Sequence, residues 1–168
     1  ILRVTWYINN FRLKGLDRIK NIFNLYKYDY DSFYASVWNR CFQLIPYLEK
    51  NNIKCSVNDG SNLNTDIAVL IRWQDESAYN LVQRLRDKHV KTILDLCVNY
   101  FDGTGNFPGG YGVSEEQVEE VKRIAVAVNG IICGSEYIRQ RANNFNLNTA
   151  YLPESIDINH FNFVKEKN

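Results

Sequence analysis

The stretch ILDLCVNYFDGTGN, Ile93 to Asn106, embeds Asp95 in an apolar run and follows it with Asn99, Tyr100 and Asp102 before a loop bearing Gly103 and Gly105. That pattern is a buried strand delivering polar groups to its C-terminal tip. In open α/β sheets ligands bind in the crevice beyond those tips. Carboxylates placed there can hold a sugar hydroxyl, ligate a metal or act as a base, and residue type alone leaves the three open. Asp95, inside the run, has a plainer role: it bonds backbone or pairs with Arg72 from the neighbouring strand. Asn99, Tyr100 and Asp102 are the residues expected to touch a ligand.

Arg72 closes DIAVLIRW, a run whose residues from Ile67 to Ile71 are all apolar. An arginine there either reaches into the crevice as an anion clamp or covers the core edge with its stem. Ser36 and Arg40 are four apart on the first helix and share a face, for which a solvated flank is the plain alternative. His89 and His160, the two histidines, have no metal-like partner in sequence and read as surface residues. No metal site is expected.

The turn after the first strand, INNFRLKG, lacks the G-x-G-x-x-G that lets a backbone approach a pyrophosphate, and no G-x-x-x-x-G-K follows. Gly103, Gly105, Gly109, Gly110 and Gly112 come instead after the fourth strand and read as a flexible loop.

Positioning these groups falls to alternating strands and helices. Strands are expected at Leu2–Ile8, Ile53–Val57, Asp66–Trp73, Val90–Cys97, Gly130–Cys133 and Thr149–Leu152, the last ending at Pro153. Between them, Ser32–Asn51 carries Tyr34, Val37, Trp38, Cys41, Ile45 and Leu48 at helical spacing, with a kink expected at Pro46. Glu76–Lys88 turns Tyr79, Val82 and Leu85 inward. Ser114 and Gln117 form a capping box ahead of the stripe Val118, Val121, Ile124, Ala125 and Val128. Ser135 caps a further helix to about Asn144. The polar and aromatic stretch Asn9 to Asp31 is a long excursion with a short helix near Leu16–Leu25. The succession predicts an α/β, Rossmann-like three-layer α/β/α domain with a parallel sheet of about six strands.

Composition narrows the function classes. At 168 residues and 45% apolar content the chain holds one proper core, and with 20 basic against 19 acidic residues the net charge implies no strongly basic nucleic-acid face. No run reaches the roughly 20 apolar residues of a membrane span. Cys41, Cys55, Cys97 and Cys133 are scattered through apolar patterns, which fits buried free thiols in the cytoplasm. The lack of methionine and the charged ending FVKEKN fit a piece of a longer chain.

Taken in order, YASVWNRCFQLIPYLEKN, DIAVLIRW, ILDLCVNYFD, IICGSEYIRQRA and YLPESIDINHF resemble the N-terminal half of a retaining, family 4-like GT-B glycosyltransferase. Pro153, Asp157 and Phe161 match the Pro-x-x-x-Asp-x-x-x-Phe phrase that leads into that family's second Rossmann domain. The resemblance implies an acceptor-side domain over 1–152 and the start of an interdomain linker over 153–168. It implies that the nucleotide-sugar donor, a co-substrate with no cofactor in this domain, is bound mainly by a missing C-terminal domain bearing Glu-x7-Glu; no glutamate pair here has that spacing. Acceptor contacts would come from Ser36, Arg40, Arg72, Asn99, Tyr100 and Asp102, with Asn9, Asn10 and Ser135 nearer the donor and Asp102 the weak catalytic candidate. The chain departs from the pattern in two places: the first loop lacks the glycine pair of many relatives, and Asn99 to Asp102 replaces the usual histidine or double aspartate. The expected partners are a glycan or glycolipid acceptor and the second domain, with peripheral contact at the inner face of a membrane and no nucleic acid. A complete, non-catalytic α/β binding module is the second reading, and a flavin or dinucleotide reductase is disfavoured by the first turn.

Overall fold

The computed structural model describes residues 1–9, 35–103 and 112–155. Among them, segments rich in β-branched and other apolar residues form strands β1 (Arg3–Ile8), β2 (Lys54–Asn58), β3 (Ile67–Ile71), β4 (Lys91–Leu96), β5 (Gly130–Cys133) and β6 (Thr149–Tyr151). They make one all-parallel sheet in the order β2-β1-β3-β4-β5-β6. Parallel neighbours need long crossovers, and helices supply them: α1 (Ala35–Val37), which runs straight into a π turn at Trp38–Phe42, α2 (Ile45–Lys50), α3 (Glu76–Asp87), α4 (Glu115–Ala127) and α5 (Glu136–Ala142). The strand order reverses between β1 and β3. Loops leaving the C-terminal ends of those strands therefore diverge and open the crevice expected of this Rossmann-like, three-layer fold.

Side chains alternate along each strand, so the sheet has two cores. Tyr7, Leu70, Leu94 and Leu96 face α3, α4 and α5, meeting Leu81, Val82, Leu85, Val121, Ile124 and Ile138. Trp6, Ile8, Val69 and Ile71 face the other way, against Val37, Cys41 and Phe42. Burial on both faces is why DIAVLIRW reads as a continuous apolar run. The strand stops at Ile71 because Arg72 adopts a left-handed φ of 51° and turns the chain. Trp73 then packs into the first core, its indole N–H donating to Ser77 Oγ at 2.7 Å and to Asp75 Oδ1 at 3.1 Å.

Helix ends follow local chemistry. The capping box forms as expected, with Gln117 N donating to Ser114 Oγ at 3.2 Å and Ser114 N donating to Gln117 Oε1 at 3.1 Å. The expected stripe of α4 is buried throughout, Val118, Val121, Ile124, Ala125 and Val128 included. α3 ends in a Schellman motif: Val90 N bonds Leu85 O, His89 N bonds Arg86 O, and exposed His89 takes φ 59°. The single helix expected over Ser32–Asn51 is corrected: α1, the π turn and α2 are distinct, separated at Gln43–Leu44. Pro46 starts α2 rather than kinking a longer helix, since a missing N–H costs nothing in a first turn.

Residues 10–34, 104–111 and 156–168 lie outside the described residues, and with them the excursion after β1, most of the glycine loop and His160. Among the described residues no helix is long and apolar enough to cross a membrane.

The sheet is also tied at its N-terminal edge. Asp66 accepts from Arg3 N at 2.8 Å and from Arg3 Nη2 at 2.7 Å, and these bonds hold its carboxyl down at about 2. A carboxyl lowered in the folded state contributes stability that is present above its unfolded value, near 3.8, and lost as pH falls toward 2. Asp66→Asn should therefore flatten the loss of stability between about pH 4 and pH 2 in urea titrations, leaving the slope above pH 5 unchanged.

Candidate functional site

Arg40 sits in the π turn and is only 3% exposed. Its Nε donates to Asp95 Oδ1 at 2.6 Å, and its Nη1 donates to the carbonyl of Leu152, just past β6, at 3.0 Å. The turn itself is pinned by Trp6 Nε1, which donates to Arg40 O at 3.1 Å. Beneath it, Gly134 leaves room that a side chain would fill: an added Cβ would lie 3.2 Å from Cys97 Cα and 3.7 Å from Arg40 Nη1. Asp95 is 4% exposed, and burial pushes its carboxyl up to about 6 against the lowering pull of the guanidinium.

Two expectations are corrected here. Asp95 pairs with Arg40, not Arg72, because register places it beside Ile71 on the face that α1 covers, and Arg72, one residue on, has turned away. Arg40 is not on a solvated flank; the π turn directs it over the sheet tip. Its Nη2 is buried and has no hydrogen-bond partner among the described residues.

A second group gathers at the tips of β3 and β4. Arg72 Nη1 donates to Ser36 Oγ at 3.3 Å. Ser36 also bonds Cys97, whose thiol is raised by burial and held back by that bond. Tyr100 is half-buried; burial lifts its phenol and the charge of Arg72 opposes the lift. Ser36, Arg72, Tyr100 and Cys97 thus lie near one another at the strand tips. Cys97 is half-buried, unlike the fully buried thiols of Cys41, Cys55 and Cys133, and all four are free.

Asp102 belongs to a third group that turns toward α5. It accepts from Asn99 Nδ2 at 3.0 Å and from Tyr137 Oη at 3.2 Å and pairs with the charge of Arg141, whose Nε lies 3.1 Å away, and these partners, Asn99 first, hold its carboxyl below the usual range. Asn99 Oδ1 also accepts from Phe101 N at 3.0 Å, closing the turn on itself. This wiring suits a loop anchor better than a proton carrier, because a lowered carboxyl is a weak base.

Of the residues assigned nearer the donor, Asn9 donates to Asp75 Oδ2 at 3.0 Å beside the start of α3, Ser135 caps α5 by accepting from Ile138 N at 3.2 Å, and Asn10 lies outside the described residues. Sequence reasoning missed Glu154, Tyr137 and Arg141. Glu154 borders a cavity together with Arg40 and Asp95, and its charge raises both Asp95 and Cys97. Tyr137 and Arg141 are four apart on α5 and share a face, a signal present in SEYIRQRA.

Comparison of the chain with models of known families and with curated proteins gave no match.

The buried pair makes a sharp stability prediction. Arg40→Met should cost about 3 kcal/mol in denaturant melts, since it strands Asp95, whereas Arg40→Met combined with Asp95→Leu should recover most of the loss. Because a raised carboxyl releases its proton later in the folded state, parental stability should fall as pH rises from about 4 to about 6, and the double variant should lack that slope. Equal losses in the single and double variants would mean that the pair is not energetically coupled.

Proposed function

We propose that this domain is the acceptor-binding half of a GT-B glycosyltransferase that moves a sugar, with retention, from a nucleotide-sugar donor to a glycan or glycolipid acceptor at the cytoplasmic face of a membrane. The observation that carries the reading is the gathering of Ser36, Arg72, Tyr100 and the Arg40–Asp95 pair at the C-terminal edge of a parallel sheet, beside its topological switch point. The ordered phrases from YASVWNRCF to YLPESIDINHF support it from the sequence. In this reading the donor and its Glu-x7-Glu lie in a second domain, and this chain supplies one wall of the cleft.

Transfer develops oxocarbenium-like charge at the anomeric carbon, and the departing phosphate stabilises it. What remains for the acceptor wall is to hold a hydroxyl in line and exclude water, so positioning supplies most of its contribution. Arg72, fixed by its turned backbone and by Ser36, is placed to bond an acceptor oxygen. Tyr100 offers a ring and a phenol beside it. Asp102 positions the loop and does not exchange a proton.

One observation favours a second reading, a non-catalytic binding module: two strand-tip carboxylates, Asp95 and Asp102, are both engaged by arginine. The two separate in the full-length protein assayed for donor-dependent transfer. If the enzyme reading holds, nucleoside diphosphate is released only when acceptor is present, Arg72→Ala raises acceptor KM by about tenfold or more, and Asp102→Ala lowers kcat by less than about tenfold. Binding of a glycan without any release of nucleotide from activated sugars would leave the module.

A further inference from the structure

On α4 and α5, Lys122, Arg123 and Arg139 each follow by three residues the glutamate they pair with, Glu119, Glu120 and Glu136. The end of α3 is built the other way. Arg84 and Lys88 lie four apart and share a face, so two like charges repel where the later helices place an attraction. Both are exposed, and neither has a hydrogen bond or ion pair among the described residues. The helix end does not use them, because Lys88 N and Val90 N bond Leu85 O and His89 N bonds Arg86 O.

Both border a groove of about 930 Å³ where β1 and β3 begin, within the roughly 300–1,000 Å³ span of small-ligand clefts. The carboxylate that lines it, Asp66, is bonded by Arg3, and the charges of that pair cancel. Two positive charges are left over, Arg84 and Lys88, against about half a negative charge at the C-terminal end of α3. Their sign repels a cation. An apolar molecule would find only Leu63 and Val90 among polar walls. A dianion matches the excess. A phosphate monoester carries roughly two negative charges near neutral pH and three acceptor oxygens, which suit the planar fork of an arginine and the point charge of a lysine.

We infer that this groove binds the phosphate of a monoester, held by Arg84 and Lys88, with the organic part of the ester against the loop that precedes β3. There Asn62 and Asn64 have their side-chain oxygens engaged, by Asn64 N and by Arg3, and turn amide N–H groups to a hydroxyl-bearing ligand beside Ser61. The site lies at the opposite end of the sheet from the proposed acceptor wall and does not depend on that reading.

The test is calorimetric titration of the full chain at low ionic strength with glycerol 3-phosphate and glucose 6-phosphate, and with glycerol and glucose as the neutral parents. The esters should bind saturably, more weakly as salt is raised, and the parents should not bind. Arg84→Gln and Lys88→Gln, at exposed positions, should each weaken the ester by about tenfold or more with an unchanged melting temperature. Arg86→Gln removes the same charge from the same turn but outside the groove, and should change affinity by less than about twofold. Co-sedimentation with phosphatidylcholine vesicles, with and without phosphatidic acid, separates the sources of the ester. Retention only by phosphatidic acid, lost in Arg84→Gln, makes it a lipid headgroup; binding of the soluble esters without retention makes it a free small molecule. Failure of both the esters and the phosphatidic acid vesicles to bind, affinity unchanged in Arg84→Gln and Lys88→Gln, or an equal loss in Arg86→Gln would each overturn the site.

Discussion

The Arg40–Asp95 pair is the constraint around which the C-terminal edge of the sheet is built. Its members are 55 residues apart in the chain, and its third participant, the Leu152 carbonyl, is 112 residues from Arg40. One guanidinium therefore joins the π turn, the tip of β4 and the segment that leaves β6. Removing two charges from water is expensive, and their attraction repays that only in good geometry. Sliding the π turn by one residue would bury one charge without the other, so the pair acts as a register lock between helix and sheet. Trp6 on one side and Gly134 beneath leave the turn little alternative placement.

That lock explains what could be read in the chain and what could not. Strand identities follow from runs such as Ile67–Ile71, buried on both faces, and the start of α4 from a capping box whose two hydrogen bonds are local. Such features depend on residues a few positions apart, and the sequence displays them directly. Arg40 does not announce itself in this way. In a regular helix its spacing from Ser36 places both on one flank, and only the π turn, which widens the step between turns, carries Arg40 over the sheet. Asp95 is equally mute, because alternation tells which face it takes but not which element covers that face. Asp102 was legible as a strand-tip carboxylate, but its partners on α5 come from a later element, and Glu154 was hidden in what reads as departing linker. Long-range pairing of polar groups is a tertiary fact; the one-dimensional pattern constrains the face and leaves the partner open.

Size alone would place the ligand at the other end of the sheet. A groove of about 930 Å³ opens at the N-terminal edge, lined by Arg3, Asn62, Asn64, Asp66, Arg84 and His89 among others. Several of its polar groups bond one another: Arg3 is bonded to Asp66 and Asn64, while Asn62 Oδ1 accepts from Asn64 N and Tyr7 Oη donates to the Asn62 carbonyl. Those bonds hold a turn and a strand end together. At the C-terminal edge the opposite condition holds. There a buried guanidinium nitrogen lacks an acceptor, an arginine is kept in a left-handed backbone conformation, and a half-buried phenol and thiol stand beside it. Unspent hydrogen-bonding capacity is a cost that folding alone gives no reason to bear. The unpartnered Arg40 nitrogen sets the C-terminal edge of the sheet apart from the end held by Arg3 and Asp66.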